Sequence, residues 1–139
     1  MIPHILIIDA DPNAAQITRA LVARVAPNAA MRIAPTAQHG RTYLDQRPLD
    51  MVIIDPSWNM RADTQLIEYV RQARPEVYLL ALPSVSTPGL RKRMASLGVN
   101  AYVEKAAAPP QLLNVLRHAI DERTLRAPSR CDDAHPVAH

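Results

Sequence analysis

Ile5-Leu6-Ile7-Ile8-Asp9-Ala10-Asp11-Pro12 sets four consecutive aliphatic residues against two carboxylates and a proline. An unbroken apolar run of that length, closed by turn-forming residues, is the pattern of a strand covered on both faces, because alternation disappears when neither face meets water. Four more short apolar runs follow: Met31 to Ala34, Met51 to Ile54, Tyr78 to Leu82 and Ala101 to Val103. The intervening segments space their apolar residues three or four apart: Ile17, Leu21 and Val25; Ala37, Gly40 and Leu44; Leu66, Ile67 and Val70; Leu90, Met94 and Leu97; Leu112, Val115, Leu116 and Ala119. That is helical periodicity. Strand and helix therefore alternate five times.

The boundaries agree. Pro12 stands where a first helical turn tolerates proline, Pro109-Pro110 can open the last helix in the same way, and Gly98 closes the fourth. Right-handed crossovers of this length leave few topologies, and five strands with five helices predict an α/β doubly wound parallel sheet of order 2-1-3-4-5. Met31-Arg32-Ile33 and Val103-Glu104 carry charge, which suits edge strands. Such a sheet binds ligands outside the carboxyl ends of its strands. From about Thr124 onward neither period nor apolar content persists, so residues 1–124 are expected to form one domain and 125–139 a flexible tail.

Composition fits one core. The chain has 139 residues, 48% of them apolar and 21% charged, which excludes wholesale disorder, collagen and coiled coil. Sixteen Lys and Arg against thirteen Asp and Glu give a net charge of +3, too small an excess to argue for nucleic acid. A lone cysteine, Cys131, rules out an intrachain disulfide and a cysteine-based zinc site. No apolar run approaches the roughly 18 residues of a membrane span. The N-terminus lacks the basic region of a signal peptide, so a cytoplasmic location is expected.

Reading the residue that closes each strand gives Asp9 and Asp11 after the first, Asp55 after the third, Pro83-Ser84 after the fourth and Lys105 after the fifth. An isolated aspartate at a strand end is usually a turn former or a helix cap. Several carboxylates converging with a lysine make a different object: the acids suit a hard divalent cation and the ammonium suits a phosphoryl group. A catalytic cysteine, a Ser-His pair and a glycine-rich nucleotide loop are all missing, so an enzyme is not expected. Of the five histidines only His135 and His139 stand four apart, in the expected tail and with Pro136 between them, so no helical ligand pair is expected.

Residues 4 to about 122 resemble the receiver domain of bacterial two-component response regulators. Ile5 to Pro12 is similar to that family's opening strand and acidic cluster. Leu49-Asp50-Met51-Val52-Ile53-Ile54-Asp55 resembles the strand that ends in the phosphoacceptor, and Leu97-Gly98-Val99-Asn100-Ala101-Tyr102-Val103-Glu104-Lys105 resembles the turn and fifth strand. The resemblance implies a flavodoxin-like fold and phosphoryl transfer from a histidine kinase or phosphotransfer protein to Asp55. It implies Mg²⁺ held by Asp9, Asp55 and the carbonyl of Ser57, with Lys105 on a phosphoryl oxygen and Ser84 as the hydroxyl after the fourth strand. Tyr102 takes the aromatic switch position, and signalling would run through the fourth helix, fifth strand and fifth helix to a downstream protein partner, with a homodimer through the two helices left open.

Departures from the pattern cluster at the site. Ala10 stands where the family carries a second metal-binding carboxylate, so Mg²⁺ binding is expected to be weakened or lost. Pro56, which has no N–H, follows Asp55. Counting back from Lys105 without a gap puts Pro83 at the switch hydroxyl, with Ser84 one residue late, and Ala106 replaces a usual proline. These changes suit an alternative, a degenerate receiver that docks partners without phosphorylation. Plainer readings stand beside each role: Lys105 as a buried ion pair with Asp9 and Asp55, Tyr102 as packing, and Arg91-Lys92-Arg93 as a solvated helix face.

Overall fold

The computed structural model describes residues 2–56, 60–107 and 109–132, with the backbone alone at 60 and 122–132. Five strands, β1 (His4–Ile8), β2 (Ala30–Ala34), β3 (Met51–Ile54), β4 (Tyr78–Ala81) and β5 (Ala101–Tyr102), alternate with helices α1 (Pro12–Val25), α2 (Ala37–Gln46), α3 (Met60–Ala73), α4 (Pro88–Leu97) and α5 (Pro109–Asp132). All strand pairs are parallel, and the sheet order is β2-β1-β3-β4-β5. This is the doubly wound flavodoxin-like arrangement expected from the sequence.

The aliphatic runs explain why the sheet is covered twice. Successive side chains of a strand point to opposite faces. Ile5, Ile7, Met51, Ile53, Tyr78 and Leu80 accordingly join a core with Val22 of α1 and Leu112 and Leu116 of α5. Leu6, Ile8, Val52, Ile54, Leu79 and Ala81 join a second core with Leu44 of α2, Ile67 and Val70 of α3 and Met94 of α4. Every residue of β3 and β4 is buried, whereas edge strand β2 is mostly accessible, in keeping with its Arg32.

Local chemistry sets the helix ends. Asp11 Oδ1 accepts from the N–H groups of Asn13 and Ala14, making it the N-cap of α1 ahead of Pro12. Thr87 caps α4 ahead of Pro88, and Gly98 ends that helix at φ 91°, a left-handed conformation that glycine adopts without a Cβ penalty. Gly40 lets α2 approach β1, since a Cβ there would sit 2.5 Å from Ile8 Cδ1. Helix α5 runs to Asp132, so residues 125–132, expected as part of the tail, continue the helix. Helical hydrogen bonding needs no apolar stripe, which is why the fading period marked no end. Residues 133–139 lie outside the described residues.

Candidate functional site

Backbone ladders run one residue past the strands and fix the site. The N–H of Asp9 donates to the Ala34 carbonyl at 3.0 Å, and that of Asp55 donates to the Ile8 carbonyl at 3.0 Å. Two aspartates on adjacent strands are thereby held side by side at the carboxyl edge of the sheet, each only 4% exposed. Two buried carboxylates repel one another and need donors.

Lys105 and Ser84 supply them. The Lys105 N–H donates to the Pro83 carbonyl at 2.9 Å, which anchors the residue beyond β5, and its Nζ donates to Asp9 Oδ2 at 2.5 Å and to Asp55 Oδ2 at 2.7 Å. Burial alone would lower the lysine pKa, but the hydrogen bonds to Asp55 and Asp9 and the attraction of both charges outweigh it and raise it above the ordinary value. Ser84 donates its N–H to Asp55 Oδ1 at 3.2 Å and its hydroxyl to Asp55 Oδ2, with Lys105 Nζ 3.3 Å from the same hydroxyl. Pro83, which the ungapped count puts at the switch position, offers only its carbonyl, to the Lys105 N–H, and the hydroxyl that reaches the Asp55 carboxylate belongs to Ser84 one residue later.

Asp11 does not join them. Its side chain is committed to the α1 cap, and its N–H donates to Asp9 Oδ1 at 2.9 Å. Ala10 contributes no donor atom and helps to line a cavity of about 320 Å³ that also meets Asp9, Asp55, His39 and Asp63. Ser57 lies outside the described residues.

Tyr102 is both packed and tethered. Its ring lies against the second core, its hydroxyl is 2.7 Å from Ser86 Oγ, and the Arg91 guanidinium stands 4.4 Å from its ring centroid while pairing with Glu104 at 3.7 Å. Ser86 and the pairing of Arg91 with Tyr102 were not read from the sequence. Sequence places Ser86 only as a loop hydroxyl two residues beyond Ser84, with nothing to aim it at position 102.

Mg²⁺ commonly takes one or two carboxylates, completed by water and phosphate oxygens. Here each of the four oxygens of Asp9 and Asp55 already accepts a protein donor, and position 10 offers none. Among the described residues no three His, Cys, Asp or Glu side chains come together in a group that could hold a metal ion. Among the described residues, with Ser57 outside them, the donor set does not fit a Mg²⁺ site of the kind the resemblance implied.

No protein-family model and no curated protein matches the sequence. Solved structures do. A response regulator receiver domain protein from Methanospirillum hungatei is 21% identical over 91% of this chain and 99% of its own, with a TM-score of 0.78. The signal receiver domain of an HD domain-containing protein from Pseudomonas fluorescens is 21% identical over 89% of this chain and 98% of its own, with a TM-score of 0.79. A chemotaxis response regulator of Vibrio cholerae is 15% identical over 86% of this chain and 99% of its own, with a TM-score of 0.72. No helix among the described residues is long and apolar enough to cross a membrane. The sheet order, the two-sided core and these likenesses together give the chain the fold of response regulator receiver domains.

Proposed function

We propose that the protein is a cytoplasmic signal receiver whose Asp55 accepts a phosphoryl group from the phosphohistidine of a histidine kinase or phosphotransfer partner. An Asp55 oxygen attacks phosphorus, the P–N bond breaks, and the imidazole leaves with its electron pair and takes up a proton. One observation carries the reading: the Asp55 carboxylate is the common acceptor of Lys105 Nζ and of the N–H and hydroxyl of Ser84. Those donors are within reach of the oxygens that the phosphoryl group would bring, where fixed donors stabilise developing charge. The Ser84 loop continues into Ser86, which holds Tyr102 beneath Arg91, so a shift at Ser84 would reach β5 and α4. Output would pass from there to a downstream protein partner or a second copy of the chain.

A second reading is favoured by Ala10 and by the commitment of Asp11 to its helix cap: a receiver fold that docks partners without phosphorylation. Intact mass after incubation with acetyl phosphate separates the two. A single phosphoryl gain lost in Asp55→Asn supports the acceptor. Partner binding unchanged by Asp55→Asn, with no mass gain, supports the docking module.

A further inference from the structure

Ala10 stands beside two carboxylates whose every oxygen accepts a protein donor. Asp9 Oδ1 accepts from the Asp11 N–H at 2.9 Å and Asp9 Oδ2 from Lys105 at 2.5 Å. Asp55 Oδ1 accepts from the Ser84 N–H at 3.2 Å, and Asp55 Oδ2 accepts from both Lys105 and the Ser84 hydroxyl. One ammonium thus bridges the two carboxylates whose joint repulsion a divalent ion would otherwise relieve, and three neutral donors share the negative charge that remains. Asp9 also lies just ahead of the α1 N-terminus, where the helix dipole favours an anion.

A cation entering between Asp9 and Asp55 would have to displace Lys105 from both. It would gain no ligand at Ala10 and none from the Asp11 carboxylate, and Mg²⁺ gives up its own water reluctantly. We infer that Lys105 is the resident cation of this site, standing in place of a divalent metal ion, so that no such ion binds between Asp9 and Asp55. The consequence for transfer rests on the reading of Asp55 as acceptor: phosphorylation there proceeds without Mg²⁺.

Thermal unfolding of the full chain in EDTA and in millimolar MgCl₂ tests this, read as the shift in the wild-type protein beyond that in Asp55→Asn. No excess shift is expected. An excess rise in the wild-type protein would show Mg²⁺ on Asp55 and overturn the inference. Lys105→Met supplies a second arm: its Tm should fall in EDTA and partly recover with MgCl₂, and a Tm that MgCl₂ leaves unchanged would show that Lys105 does not occupy a metal's place. If that variant does not fold, the wild-type comparison decides alone.

Acetyl phosphate labelling separates this inference from the acceptor reading. Equal rates in EDTA and MgCl₂ support both. A loss of about tenfold or more on chelation, equivalent to ~1.4 kcal/mol of barrier, overturns the inference and leaves the acceptor standing. Absence of labelling in either condition, together with no excess melting shift, overturns the acceptor reading and leaves Lys105 as the resident cation.

Discussion

Lys105 Nζ and Asp9 Oδ2 meet at 2.5 Å across 96 residues of sequence, joining the end of the fifth strand to the end of the first. The same ammonium reaches Asp55 Oδ2, so the carboxyl edge of the sheet is tied together by one side chain. Its side chain keeps 17% of its surface accessible, against 3% and 1% for the two acids. Removing the buried partner of such a pair costs roughly 3–5 kcal/mol when both charges are dry. The partial exposure of Lys105 brings the expected cost of Lys105→Met to about 2 kcal/mol.

The pH dependence of that cost has a definite sign. The folded-state pKa of Lys105 is raised above its ordinary value of 10.5 by the hydrogen bonds to Asp55 and Asp9 and the attraction of their charges, which overcome the opposing effect of burial. A raised lysine pKa contributes stability in full below the unfolded value and loses it as pH climbs through the folded one. Urea denaturation of wild type and Lys105→Met should therefore show a constant gap through neutral pH that closes only above about pH 10.5. A gap that widened with rising alkalinity would contradict the assignment.

Ala10→Asp should introduce a Mg²⁺ response. The side chain at position 10 borders a cavity of about 320 Å³ that reaches Asp9 and Asp55, so an added carboxylate has room beside them. Three carboxylates against one ammonium create a demand for a cation that two did not. Melting in MgCl₂ should rise for Ala10→Asp and fail to rise for Ala10→Asp combined with Asp55→Asn.

Asn100→Ala should destabilise the fold by about 1–3 kcal/mol, the cost of leaving the N–H of buried Leu79 without its acceptor. Asn100 Oδ1 accepts from the Leu79 N–H at 2.8 Å and from Arg71 Nη2 at 3.1 Å, pinning the entry to β5 against β4. Because β5 supplies Tyr102 and leads to Lys105, amide exchange in residues 101–105 should quicken more than in β1.

Gly98→Ala should cost about 1–2 kcal/mol, the penalty of a left-handed conformation for a residue with a Cβ. The backbone there has φ 91°, and the added atom would stand 3.2 Å from Arg71 Cδ. Chemical denaturation would measure it. A neutral result would mean the α4 terminus rearranges.

Ser86→Ala should leave the stability nearly unchanged, by about 1 kcal/mol or less, while altering the surface formed by α4 and β5. The lost partner is the half-exposed Tyr102 hydroxyl, which water can satisfy, but the tether between the β4–α4 loop and the ring disappears. Chemical shifts of α4 and β5 amides should move in Ser86→Ala and in Tyr102→Phe alike. Movement in one variant alone would show that the hydroxyl pair is not the link.

The fold was legible because its determinants are local and periodic. Unbroken runs such as Ile5 to Ile8 and Met51 to Ile54 announce strands covered on both faces, and Pro12 and Gly98 act through their own backbone geometry. The convergence of Asp9, Asp55 and Lys105 followed from the same periodicity, since parallel strands bring their carboxyl ends to one edge. Where α5 ends was not legible, because a helix can continue without an apolar stripe.

Sequence by itself therefore determined the strand and helix order, the two-sided core and the residues gathered at the sheet edge. Only the tertiary structure decided which atoms meet there. Counting along the chain left Ser84 one residue out of place and could not give Ser86 a partner, and it named Asp11 without showing that a helix cap holds its carboxylate. Hydrogen bonds depend on the positions of loops whose backbone has no repeating geometry, and those positions follow from how separate strands and helices pack rather than from spacing along one of them.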